Sequence, residues 1–199
     1  MNSVKLIFFI IALLVLISSN LVAQEDKFGA IDTIYVEPYK IDTQHWGINI
    51  SMFNDEDIIG ICIPLKLKAE NNRVVADSTI FTGGRAESFR VKIVRTDTAK
   101  QCVTIGLIAD LGVSVPPMAP GKGRIATVFV SSLDNNNIIS LEVDSITTTP
   151  NNSLQLIKAP SDGIIPVFIV KKESQKMIKK TAIKETVTEV TKESEKKTK

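Results

Sequence analysis

"IIGICIPLKLKAE", residues 58–70, sets Ile59, Ile61, Ile63, Leu65 and Leu67 on one parity. A period of two is the pleat of a β-strand, so the run reads as a strand with one face turned inward. The signature spreads both ways along the chain. Upstream lie "IDTIYVEPYKI" and "HWGINISMF". Downstream lie "VVADSTIF", "SFRVKIVRT", "QCVTIGLIAD", "GRIATVFVSSL", "NIISLEVDSI", "SLQLIKAP" and "GIIPVFIV". In "SFRVKIVRT" the alternation sets Phe89, Val91 and Ile93 inward, with Arg90 and Lys92 outward. Turn-forming residues punctuate the runs at Asn54-Asp55, Asn71-Asn72, Gly83-Gly84, Asp134-Asn135 and Pro150-Asn151. The expected fold is all-β, a two-sheet sandwich of about nine strands.

The two ends differ from this middle. Residues 1–23 carry Lys5, a twelve-residue apolar run from Leu6 to Ile17, and the small residue Ala23 before Gln24. That layout is a secretory signal peptide, and the run is short for a bilayer span. Residues 171–199 hold ten Lys and five Glu, with no Gly, Pro or aromatic residue. This composition reads as a solvated tail, with contact to an anionic surface as the sharper alternative. The whole chain has a net charge of +2 and the tail +5, which leaves the rest at −3. The basic balance therefore belongs to the tail. Residues 24–170 form one domain-sized unit placed outside the cytoplasm, secreted or in the cell envelope.

"PPMAPGKGRIATVFV", residues 116–130, resembles a phosphate loop only in composition. The first required glycine is Pro116, and Gly123 stands where the hydroxyl should be. Pro116, Pro117 and Pro120 instead read as an extended crossing at the sandwich edge, with Gly121 and Gly123 turning the chain into a strand. No nucleotide or nucleic-acid partner is expected.

Three stretches carry a family likeness. One is "INISMFNDEDIIGICIPLKL", with Asn54, Ile58 and Gly60 in an N-x-x-x-I-x-G pattern. Another is the turn Pro120-Gly121-x-Gly123 before Ile125, Ala126, Val128 and Val130. The last is the closing "DGIIPVFIVKK". Together they resemble the cohesin family and the cohesin-like sandwiches of secreted bacterial proteins, over almost all of residues 28–170. The resemblance implies a nine-stranded jelly roll without a catalytic centre. It implies docking of another protein, a dockerin-bearing one among true cohesins, on the outer face of one sheet. Close structural relatives bind polysaccharide. The family layout would set strands 88–95, 101–109, 58–68 and 123–131 side by side. Phe129, Thr127, Pro64, Lys66, Thr104, Arg90 and Lys92 would then face the partner, an extracellular or envelope protein. The same layout makes Cys62 and Cys102 neighbours, as a cross-strand disulfide or as two separate thiols.

Little else in the sequence points to chemistry. A lone His45 excludes multi-histidine metal sites and argues against a Ser-His-Asp triad. No nucleophile–base or paired-carboxylate pattern stands out, so an enzyme is not expected. Trp46 and Tyr39 are the candidates for stacking on sugar, the polysaccharide-binding alternative. A third alternative is a structural spacer attached by its tail. No cofactor is expected; the calcium candidates are Asp55 and Asp57 in the acidic turn "NDED", and Asp134 beside three Asn.

Overall fold

A computed structural model describes residues 29–110, 115–146 and 153–171. The stretches expected from the sequence to be a signal peptide, residues 1–23, and a tail beyond Lys171 lie outside these residues. Eleven strands are found in the described part: β1 (Thr33–Lys40), β2 (His45–Asn54), β3 (Ile58–Ala69), β4 (Val74–Ile80), β5 (Val91–Asp97), β6 (Cys102–Ile108), β7 (Gly121–Ser132), β8 (Leu141–Ser145), β9 (Gln155–Lys158), β10 (Asp162–Ile164) and β11 (Val167–Val170). One sheet runs β11-β1-β2-β7-β4. The other runs β10-β9-β3-β6-β5, with β8 also paired to β3. Neighbours are antiparallel except β1 and β11, the first and last strands, which pair in parallel. The expected nine strands become eleven because the closing stretch breaks up. β9 and β10 form a hairpin in one sheet, and β11 crosses to the other.

The inward parities meet between the sheets. Ile48, Ile50 and Met52 of β2 and Val128 of β7 are fully buried, as are Ile63 and Leu65 of β3 and Ile105 of β6. Each such side chain contributes about 1.5–3 kcal/mol on leaving water. Trp46 packs into the same cluster at 4% exposure.

Four local features depart from simple alternation. The register of β3 against β9 shifts between Ile58 and Gly60, so Ile58 is fully buried and Ile59 only half-buried; the expected parity holds from Ile61 onward. In β5, Val91, Ile93 and Arg95 share the outward side with Gly106 and Thr104 of β6. Lys92 turns the other way, its Nζ donating to the carbonyls of Glu87, at 2.8 Å, and Phe89. The expected β5 parity inverts because buried Phe89 belongs to the preceding turn, where its N–H donates to the Ala86 carbonyl. Residues 123–131 do not join the sheet of β3, β6 and β5. They belong to β7, which is zipped between β2 and β4 in the opposite sheet.

The proline-rich stretch makes this crossing. Met118 and Ile58 exchange both backbone hydrogen bonds at the rim, at 3.0 and 2.8 Å. Gly121 follows with φ 150°, a region that favours glycine. Gly123 has a different purpose from the expected turn. A Cβ there would lie 2.9 Å from Arg85 Cδ, so its bare backbone admits the arginine. Arg85 Nη1 donates to Asn54 Oδ1 and to the Gly121 carbonyl, both at 2.8 Å, and fastens the loop 81–90 to β2 and β7.

Candidate docking face

The outer face of the β3–β6–β5 sheet is built by the even residues of β3 and β6 and the odd residues of β5. Register pairs Cys62 with Gly106, Pro64 with Thr104 and Lys66 with Cys102; Ile93 and Arg95 of β5 lie opposite Gly106 and Thr104. β8 flanks the C-terminal half of β3 and β9 the N-terminal half. Pro64 falls between them, in the stretch that neither strand pairs. Its missing N–H therefore removes no ladder bond, while its carbonyl still accepts from the N–H of Ile146 at 3.0 Å.

Two glycines shape the middle of this face. A Cβ on Gly106 would find nothing nearer than 3.9 Å, so the position is open. Gly60 leaves room for Ile157, whose Cδ1 would lie 3.0 Å from an added Cβ. The result is an apolar depression of about 190 Å³ lined by Cys62, Ile93, Gly106, Ile108, Gln155 and Ile157. Ile93 is 45% exposed on its wall. On one side of it, toward Cys102, lie Arg95 and then the row of Asp144, Lys66 and Asp97. The N–H of Lys100 holds the Asp97 carboxyl below its usual range, donating to Oδ1 at 3.0 Å, and the Lys100 charge acts the same way. Burial pushes the Cys62 thiol up.

The sequence-based candidates divide between several places. Thr104, Pro64 and Lys66 lie on this face, although Pro64 is buried by its neighbours. Arg90 precedes β5 and pairs with Asp110 at 3.7 Å at the sheet edge. Lys92 points away, as described. Thr127 and Phe129 are on the outer side of the opposite sheet, so they cannot share a partner surface with Thr104. Thr127 is buried and hydrogen-bonded, donating to Asn49 Oδ1 at 2.9 Å and accepting from Arg124 at 3.0 Å. Cys62 and Cys102 are free thiols. Cys102 is four residues along β6 from the partner of Cys62, roughly 13 Å, beyond disulfide reach. Ile93, Gly106, Ile108 and Ile157 were not among the candidates. Gly60 and Gly106, each alone inside a strand pattern, were the available signal, because such glycines often mark close approach.

Trp46 cannot stack on a sugar, since it is in the core, while Tyr39 is half-buried on the outer side of β1. His45 pairs with Asp42 at 2.8 Å in the β1–β2 turn, a structural contact. Of the calcium candidates, Asp55 meets Asp32 and Glu56, with one oxygen from each within 4.8 Å of the others. Asp57 is exposed outside that group, and Asp134 is exposed in the β7–β8 loop. Three clustered carboxylates have the donor chemistry of a hard cation. The N–H of Ala30, donating to Asp55 Oδ2 at 2.5 Å, holds that carboxyl below its usual range.

No family model matches the chain, and no curated protein matches it. Among solved structures, the sixth cohesin of scaffoldin B from Acetivibrio cellulolyticus, in complex with a mutant Cel5 dockerin, aligns with a TM-score of 0.54 at 8% identity. The alignment covers 72% of this chain and 99% of that one. The fold is a cohesin fold. The third cohesin of ScaC from the same organism, in complex with a ScaB dockerin, aligns with a TM-score of 0.54 at 10% identity, over 72% and 98% of the two chains. The OlpC cohesin of Clostridium thermocellum, in complex with Doc435, gives 0.52 at 9%, over 75% and 99%. The likeness thus covers about three quarters of this chain at no more than 10% identity, which leaves its surface chemistry to be read from this chain alone.

Proposed function

We propose that this protein is a non-catalytic docking module, acting outside the cytoplasm, that takes a dockerin-type module on the outer face of β3, β6 and β5. The carrying observation is the apolar depression over Gly106, walled by Ile93 and Ile157, with charges of both signs farther along the same face toward Cys102. An exposed apolar centre with polar and charged groups beyond it is how protein–protein interfaces are commonly built. The solved cohesins described above are themselves held in complex with dockerins. The Asp32–Asp55–Glu56 group offers carboxylates for a calcium ion, so the ion belongs to the test of this reading.

The test is calorimetric titration of the full chain with a panel of dockerin modules in calcium. Binding to at least one is expected, with at least a tenfold loss on Gly106→Arg, a substitution with room for its Cβ that fills the depression. A folded Gly106→Arg chain that binds unchanged, or a blank across the panel, overturns the proposal.

A further inference from the structure

The outer side of the other sheet has a different chemistry. Ile169, Tyr35, Ser51 and Arg124 form one row across β11, β1, β2 and β7. Lys122 Nζ lies 4.7 Å from the centre of the Tyr35 ring and Lys171 Nζ lies 5.1 Å from it. Both contacts are of cation–π type, and one ring thus gathers two ammonium groups. They are no more than about 10 Å apart, comparable with the screening length of about 8 Å at physiological ionic strength, so they repel. Both ammonium groups are exposed, so an anion resting beside the ring meets two positive charges at once. Arg124 adds a third cation, fixed by Thr127 Oγ1 and by the Thr82 carbonyl at 2.7 Å. Among the described outer positions of β1, β2 and β7 the only carboxylate is Glu37, and on β4 the exposed Asp77, which accepts from Ser131 Oγ at 2.9 Å, stands near Phe129.

Further along the sheet, Gly47 pairs with Tyr39 on one side and Phe129 on the other. A Cβ on Gly47 would sit 2.1 Å from Tyr39 Cζ and 2.3 Å from its hydroxyl oxygen, so the ring lies across the bare glycine, along the sheet. Tyr39 and Phe129 are both half-buried, which leaves each with solvent-facing surface. An aromatic surface laid along a sheet, beside clustered cations, suits a flat and negatively charged chain.

We propose that this face binds an acidic polysaccharide, with uronate carboxylates against Lys122 and Lys171 and sugar rings on Tyr39 and Phe129. The site lies on the sheet opposite the docking face and does not depend on it. A lipid surface would engage the exposed Ile169 and Ile80 of this sheet by insertion and leave unused Tyr39, which lies along the sheet. A plain polyanion would use the lysines but not the rings.

The full chain is titrated with polygalacturonate, with polyglutamate as a ringless polyanion, and with vesicles of phosphatidylglycerol. Polygalacturonate is expected to bind at least tenfold more tightly than polyglutamate. The Lys122→Glu/Lys171→Glu pair, both exposed positions, is expected to weaken it tenfold or more with an unchanged circular dichroism spectrum. Unchanged affinity in that variant would assign retention to the Lys-rich tail and overturn the proposal. Equal affinity for polyglutamate or for the vesicles would overturn it as well.

Discussion

Asp42 shows how much one side chain can settle. Its Oδ1 accepts from the N–H groups of Gln44 and His45, both at 2.8 Å, closing the β1–β2 turn. The Gln44 N–H bond, followed by the His45 ring, holds the carboxyl below 3.8. A depressed carboxylate adds stability that is present above its unfolded value and is lost as the pH falls through the folded one. Asp42→Asn keeps an oxygen acceptor but not the charge. The difference in urea midpoint between the two proteins is therefore expected to shrink as the pH falls below 3.8. A difference that persists undiminished well below that value would show that the charge is irrelevant to the turn. At this scale the sequence was readable in part. A lone His45 was read as no metal ligand or triad member, and the structure puts it at the surface in contact with Asp42 of the β1–β2 turn. Trp46 as a sugar platform was not supportable, because an aromatic at a strand start has no periodicity mark to separate core from surface.

Elements follow parity until something outside the strand resets it. β2 and β3 keep theirs, since a slip by one residue would turn a whole apolar set to water. β5 is an edge strand, paired only with β6, and Phe89 before it is taken by a turn. Nothing in "SFRVKIVRT" marks that change, and Ile93 passes from expected core to exposed wall. The loop 81–90 depends on Arg85, which reaches Asn54, Gly121 and Ala119. Arg85→Ala is expected to cost roughly 2–3 kcal/mol by leaving Asn54 and these carbonyls without the donor. Arg85→Lys should restore only part, as an ammonium cannot match the guanidinium fork. Denaturant unfolding of the two variants checks this, and a loss under about 0.5 kcal/mol for Arg85→Ala would show the loop to be held by other contacts.

The whole molecule presents two outward faces, one per sheet, separated by the thickness of the core. Sites so far apart with no shared partners behave independently. Gly106→Arg is expected to leave polygalacturonate affinity within twofold of the parent, and Lys122→Glu/Lys171→Glu to leave dockerin affinity equally unchanged. Competition between the two ligands would show that one face serves both. The all-β class, the strand runs and the turns between them were determined by the sequence alone, because period-two alternation and Gly, Pro and Asn act over a few residues. The pairing of strands was not. Whether β7 lies beside β3 or between β2 and β4 depends on contacts more than forty residues apart, and local pattern is the same either way. That choice moved Phe129 and Thr127 away from Thr104. It also separated the thiols and gathered Tyr35, Lys122 and Lys171 on one surface, so tertiary pairing alone decided what each face can bind.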